Sequence, residues 1–485
     1  MFGIKTGDSA KLKTDLLVVM ACEDDTSETV SDDPVIQTLF GQVGPYPEFG
    51  GRGGDELMLY TPGGAAATRV LFMGLGKREK INPESFRCTA GKAVSRAIKA
   101  KLKDVVFHAR GEKENILGMM EGACLANYCF DHYKKEKKQQ VLSDIFFHVD
   151  KSRQKALRSA AQGIETVCRG TILAREWVSA PPNDKRPDMF ARSIVKAADK
   201  ENITIVDLDE RNIRKNKMHA MLGVGAGSDA RPRMVVLDYR PEKYSRTIVL
   251  VGKGVTFDSG GINLKPSNGL ADMKQDMAGA AAVAATLITA SRLEMTHRII
   301  GVLPLVENMP SGSAYRPGDV IKTASGKTVE IGNTDAEGRL ILADAISYAI
   351  RQYKPDTLLD IATLTGACKI ALGPKIAGVF SPSDDLAARI VASGVKTHER
   401  CWAMPLPPDY RDMLKSDIAD LRNVGKSRWG GAIAAALFLS SFTENVDWAH
   451  IDIAGPAYAE SANAYCPAGG TGFGVRLFID WLGSL

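Results

Sequence analysis

The chain alternates short apolar runs with stretches of helical spacing, and it does so twice, on either side of one long helical segment. In the first part, runs at 16–21, 69–73, 104–108 and 144–149 are apolar and bounded by polar or charged residues. Such runs read as strands, and 85–101 and 115–133 carry helical spacing between them. That alternation predicts an α/β domain over 1–150. Residues 151–179 read as one linking helix, because Ala156, Ala160, Ile164, Val167, Ile172 and Trp177 recur at helical spacing. Ala180-Pro181-Pro182-Asn183-Asp184 then breaks it. A second α/β domain is expected over 180–485. Its strands fall at 203–206, 234–237, 247–251, 299–306, 357–361 and 449–452. Helices are expected at 189–200, 278–292, 340–352, 387–396 and 432–443. A large mixed sheet with helices on both faces follows.

Composition narrows the class. With 485 residues, 45% hydrophobic and 25% charged, the chain has ample core for several domains. A net charge of +5 is weak for this length and does not identify a nucleic-acid binder. No stretch approaches the roughly 20 apolar residues of a membrane span. The apolar run near residue 16 continues into Cys22-Glu23-Asp24-Asp25, so it is taken as a strand and not a signal peptide. Eight scattered cysteines without a CxxC pair point to reduced thiols and a cytoplasmic location.

The chemistry concentrates in two segments. In 251–276, VGKGVTFDSGGINLKPSNGLADMKQD, a strand delivers Lys253 and Asp258 into a Gly-rich loop, followed by Lys265 and Asp276. Loops at strand ends favour ligands and catalytic groups. The competing reading is a salt-bridged turn. The second segment, 333–339, is Asn333-Thr334-Asp335-Ala336-Glu337-Gly338-Arg339. In extended backbone Asp335 and Glu337 would project to one side. The competing reading, acids at a helix N-terminus, accounts for Glu337 but poorly for Arg339. Four carboxylates in one cavity would raise each other's pKa values. Two divalent cations would cancel them and leave Lys265 and Arg339 as surplus positive charge, suited to a developing oxyanion.

Absences sharpen this. None of the seven histidines lies in either segment and there is no HExxH, against a His-ligated zinc protease. Walker A and GxSxG are also missing. Gly223-Val224-Gly225-Ala226-Gly227 misses GxGxxG and is expected to be a turn. A carboxylate-rich site favours Mn²⁺, Mg²⁺, Zn²⁺ or Co²⁺.

NTDAEGRL at 333–340 resembles the signature of the leucyl aminopeptidase, or cytosol aminopeptidase, family. VGKGVTFDSGG with LKP, DMAGAAAV at 276–283, ENMPSGSAYRPGDV at 307–320, ATLTGAC at 362–368, WAHIDIAGPA at 448–457 and GGTGFGVR at 469–476 also resemble it, in family order. The likeness covers roughly 170–485. It implies a macro-domain-like N-terminal α/β domain and a C-terminal catalytic α/β domain with a mixed central sheet. The implied activity is release of N-terminal residues, Leu and similar preferred, from peptides by a homohexamer. Asp258 and Glu337 would bridge two metals, Mn²⁺ or Zn²⁺ foremost. Lys253 and Asp276 would complete the tighter site and Asp335 the more exchangeable one. Lys265 and Arg339 would be the catalytic side chains, with bicarbonate held by Arg339. Leu364 would contribute a backbone carbonyl near the transition state, and Met273, Thr363 and Gly366, with Ala454 a weaker match, would line the first side-chain pocket. The implied mechanism is attack by a hydroxide bridging the metals on a carbonyl polarised by metal and Lys265.

Two alternatives stand beside this. One is another two-metal hydrolase, such as a phosphatase. The other is a nucleic-acid-binding protein with secondary peptidase activity, for which Lys134-Lys135-Glu136-Lys137-Lys138 beside His132 and Tyr133 is the best support.

Overall fold

The computed structural model describes residues 1–43, 46–60, 66–136 and 141–485. These divide into two compact units, 1–169 with 461–468, and 170–460 with 469–485.

In the first unit, β1 (Phe2–Lys5), β2 (Leu17–Cys22), β3 (Glu56–Tyr60), β4 (Arg69–Gly76), β5 (Asp104–His108) and β6 (Asp144–His148) form one sheet in the order β1-β6-β5-β2-β4-β3. All pairs are parallel except that of the edge strand β3 with β4. β2 and β5 are apolar almost throughout, as strands buried on both faces must be. α1 (Pro34–Gly41) covers one face, where Ile36 and Leu39 meet Leu17, Val19 and Phe72. α2 (Pro83–Lys99) and α3 (Lys113–Ala126) cover the other, packing Ala90, Val94 and Met120 on Val18, Val105 and Phe107. α3 stops at Ala126, short of the expected 133. Asn127 ends it by pairing with the backbone N–H and C=O of Leu142, the lead into β6. α4 (Gln154–Ser179) is the long helix expected at 151–179, with one 3₁₀ turn before it.

The second unit begins with α5 (Pro187–Ala198), β7 (Ile203–Leu208), α6 (Glu210–Lys215), α7 (His219–Gly225) and β8 (Arg233–Tyr239). β9 (Thr247–Gly252) and β10 (Gly254–Asp258) lead through the short α8 (Ser267–Leu270) to α9 (Ala278–Arg292) and β11 (Arg298–Asn308). The small strands β12 (Val320–Lys322) and β13 (Thr328–Glu330) precede α10 (Gly338–Tyr353) and β14 (Thr357–Ala362). After α11 (Gly366–Leu372) come β15 (Ala377–Phe380), β16 (Cys401–Ala403), β17 (Leu421–Arg422) and β18 (Asp447–Asp452). The nine-stranded sheet runs β16-β15-β18-β14-β9-β11-β8-β7, with β10 paired to β11. Its centre, β18-β14-β9-β11, is parallel; β8 runs against both of its neighbours, and β15 runs against β18 but parallel to β16.

Alternate residues of these strands divide between two helical layers, as period-2 geometry requires. Met234, Val236, Val249, Val251, Ile300 and Val302 share a core with α7 and α10. Gly301, one residue out of phase, faces Val283 and Leu287 of α9. The expected turn at 223–227 is instead mostly helix, the end of α7. Two influences override the glycines. Asp344 of α10 accepts the N–H of Met221 in the first turn. A side chain at Gly225 would collide with Pro232, so the helix packs there only because glycine is small. No disulfide links the cysteines among the described residues, and no helix among them is long and apolar enough to cross a membrane.

Candidate metal centre

The centre lies at the carboxyl edge of the parallel strands, the place where open α/β sheets present ligand-binding groups. Lys253 sits in the step from β9 to β10, its backbone N–H bonded to Ile361 O of β14. Asp258 ends β10, and Asp276 stands just before α9. Gly338 leaves room for Lys253, since a Cβ there would lie 2.4 Å from the lysine Cε. Between Asp258 and Lys265 the chain turns back through Gly260 at φ +88°, a conformation that favours glycine, and Lys265 N–H closes the loop on Ser259 O at 2.9 Å.

Asp335 and Glu337 do not lie in extended backbone as expected. Thr334 and Asp335 form a turn, and Glu337 has helical angles as the residue capping α10. The turn still brings their carboxylates to Asp258, because Asn423 and Thr334 pin it on both sides. Asn423 Oδ1 accepts from Gly332 N–H at 2.7 Å, and its Nδ2 donates to Asn333 O at 2.7 Å. Thr334 donates to Gly260 O at 2.6 Å, and Tyr315 and Asn308 donate to Thr334 O.

The seven charged residues singled out in the two segments lie in this one region. Lys253 Nζ lies 2.8 Å from Asp276 Oδ1 and 2.9 Å from Glu337 Oε1. Lys265 Nζ lies 2.8 Å from Asp258 Oδ2 and 2.6 Å from Asp335 Oδ1. Carboxylate oxygens of Asp258, Asp335 and Glu337 lie within 4.8 Å of one another. Arg339 is buried beside them, and its Nη1 donates to Asn423 O at 2.7 Å.

Burial pushes the Asp276 carboxyl well above its ordinary range and raises Asp258 and Asp335 as well. Neighbouring carboxylates add to the rise, Glu337 for Asp258 and Asp258 for Asp335. Burial alone would lower both lysines, but the surrounding carboxylates outweigh it and hold them above their ordinary value. Burial brings Arg339 down to about 10, which leaves it a cation at neutral pH.

Several buried polar atoms have no hydrogen-bond partner among the described residues: Asp276 Oδ2, Glu337 Oε2, Asn308 Oδ1 and Arg339 Nε. Asp335 Oδ1 is met only by its ion pair with Lys265. Unmet carboxylate valence at full burial is costly in a folded chain. An oxygen-rich donor set with two amines nearby fits hard or borderline divalent cations.

The predicted pocket residues flank this centre. Thr363 ties it together, its hydroxyl donating to Asp276 Oδ1 at 2.7 Å and its carbonyl accepting from Lys253 Nζ at 2.9 Å. Leu364 N–H donates to Asp452 Oδ1, which also takes the N–H of Ala454. Gly366 opens α11 with empty space where a Cβ would stand. Met273 lies in the 3₁₀ turn before Asp276. Sequence reading missed Asn308, Asn423 and Asp452. Each acts on backbone or on a carboxylate far along the chain, and no local spacing signals that. Of the basic run, Lys134 and Lys135 are exposed, and Lys137 and Lys138 lie outside the described residues.

Residues 172–479 match the cytosol aminopeptidase family, catalytic domain, and 36–137 match its N-terminal domain. A probable cytosol aminopeptidase of Geobacter sp. (strain M21) is 41% identical over 478 residues, covering 97% of this chain and 96% of that protein. Two solved structures extend the likeness to three dimensions. The bottromycin maturation enzyme BotP in complex with Mn superposes with a TM-score of 0.87 at 34% identity, covering 97% of this chain and 99% of that one. A mutant of tomato leucine aminopeptidase gives 0.88 at 30% identity, covering 100% and 96%. Lysine–carboxylate geometry, unmet valence and likeness along the whole chain converge: the chain belongs to the cytosol aminopeptidase family and is a metal-dependent exopeptidase acting on peptide N-termini.

Proposed function

We propose that Lys253, Asp258, Asp276, Asp335 and Glu337 hold two divalent cations, with Asp258 and Glu337 shared between them, and that the preferred substrates are peptides beginning with Leu or a similar residue. The observation that carries this reading is the set of buried carboxylate oxygens left without partners around two lysines. Mn²⁺ is the favoured occupant, since BotP at 34% identity is known with Mn, and Zn²⁺ is the alternative. When bound, the cation pair supplies Lewis acidity at neutral pH.

The chain's own groups do the rest. Lys265, less buried than Lys253, donates a charged N–H to the oxygen of the scissile carbonyl as negative charge grows there. Arg339 cannot serve as a base, because its guanidinium stays protonated. It offers its remaining N–H groups to a small anion, for which bicarbonate is the proposed occupant. The Leu364 carbonyl orients the peptide, and Met273, Thr363 and Gly366 border the space for its first side chain. A homohexamer in the cytoplasm completes the proposal.

The test compares leucyl peptides with free and N-acetylated termini, alongside a phosphoryl substrate. Turnover of the free peptide alone is expected. Equal cleavage of the blocked peptide would overturn the exopeptidase site, and faster phosphoryl release would favour the phosphatase reading.

A further inference from the structure

The N-terminal unit carries a second cavity that the peptidase chemistry does not use. It measures about 550 Å³ and opens at the carboxyl ends of the parallel strands, where Cys22 ends β2, Leu75 nears the end of β4, and His108 ends β5. From β2 the chain builds β3 and β4 on one side, then returns through α2 to β5 on the other. The crevice between β2 and β5 is therefore a topological switch point, the favoured ligand position in open α/β sheets.

At the start of α3 the polar lining offers donors. α3 starts at the cavity, and Glu112, which precedes it, makes no side-chain capping bond, so the first-turn N–H groups lack that acceptor. Asn115 in that first turn is only 8% exposed and lines the cavity. Its side-chain amide bonds to no other described residue and is not sealed from solvent, so it stays open to a ligand in the cavity. Arg153 donates to Gly111 O at 2.7 Å beside the same helix start and pairs with no carboxylate among the described residues. Two of the lining carboxylates are already engaged, Asp25 by Arg78 and Asp150 by Arg110. Asp32 and Glu112 are exposed and screened by water. Opposite the donors the floor is apolar: Met20, Leu75, Ile81, Phe86 and Met119.

We propose that this cavity binds a small phosphate monoester with a flat apolar body. The phosphate sits at the start of α3, taking the free N–H groups, the Asn115 amide and the Arg153 guanidinium. The apolar body lies on the floor, which is too large for a bare phosphate ion to fill. Helix dipole and arginine together balance a group carrying close to two negative charges.

Calorimetry on the full-length, metal-loaded protein tests this with 1-naphthyl phosphate, 1-naphthol, inorganic phosphate and 1-naphthoate. The ester is expected to bind at least about tenfold tighter than any of the other three, since each lacks one recognised part. Arg153→Gln and Asn115→Asp should each weaken the ester about tenfold or more while leaving peptide turnover unchanged, which confirms folding. Binding that survives both substitutions but is lost in Glu337→Ala would place the ester at the metal centre and overturn the proposal. So would an absence of heat at millimolar ester, or equal affinity for 1-naphthoate.

Discussion

Among the described residues two clusters of potential metal ligands stand out, and they differ in one respect that matters. Asp258, Asp335 and Glu337 in the second unit, and Asp33, His108 and His148 in the first, each bring three such side chains within 4.8 Å of one another. The imidazoles are provided for. His108 Nε2 accepts from Arg110 Nε at 3.3 Å, so it also accepts the Ser31 hydroxyl at 2.7 Å. His148 Nε2 donates to Gly7 O at 2.9 Å, which leaves its Nδ1 to accept from His108 Nδ1 at 3.4 Å. Burial pushes His108 down to about 3, so its ring is neutral at physiological pH. Around Asp276 and Glu337, by contrast, carboxylate oxygens remain without partners. Residue type alone does not separate a metal centre from a polar core; unmet valence does.

Glu337→Ala puts the largest strain on that distinction. It should empty the centre and lower kcat/KM by about a thousandfold or more, because both the cations and the electrostatic preorganisation go. His108→Ala should leave metal content and turnover unchanged. Elemental analysis of the two purified variants reads the contrast directly, and metal lost from the His108 variant would break it. Lys265→Ala comes next. Here metal is expected to stay while kcat falls about a hundredfold to a thousandfold, the effect of removing one transition-state donor. Asn423→Ala tests whether the turn holding Asp335 and Glu337 needs its clamp. Loss of the side-chain bonds to Gly332 and Asn333 should weaken Mn²⁺ binding about tenfold to a hundredfold in a calorimetric titration.

How far the sequence could see follows from the range of the interactions. Strand positions were legible because a strand buried on both faces is a continuous apolar run, as in 104–108 and 247–251. The two charged segments were legible because they pack acids and lysines close together along the chain. The backbone geometry of Asp335 and Glu337 was not, since a turn held by Asn423 replaces the extended form. α7 was hidden for the same reason: glycines argue for a turn, and only Asp344, more than a hundred residues away, caps the helix. The end of α3 depended on Leu142. Local spacing reports local energy, and these features are fixed by contacts distant in sequence.

Asp344 offers the finest test of unmet valence, as a buried carboxylate that is fully provided for. It lies on α10 with Glu337 at the helix start, yet its oxygens take the N–H groups of Met221 at 2.9 Å and Ala324 at 2.7 Å. No cation should bind there, and titration should appear instead as stability. Burial pushes this carboxyl up to about 7, against an ordinary value of 3.8. Between those values the folded chain holds a proton that the unfolded chain has lost, so stability rises as pH falls and is least above about pH 7. Denaturant unfolding should therefore lose about 2 kcal/mol from this group between about pH 5 and pH 7. Asp344→Asn should flatten that part of the profile, with metal content unchanged. A profile that keeps its full slope in the Asn variant would show that Asp344 is ionised in the fold, held so by its two backbone donors.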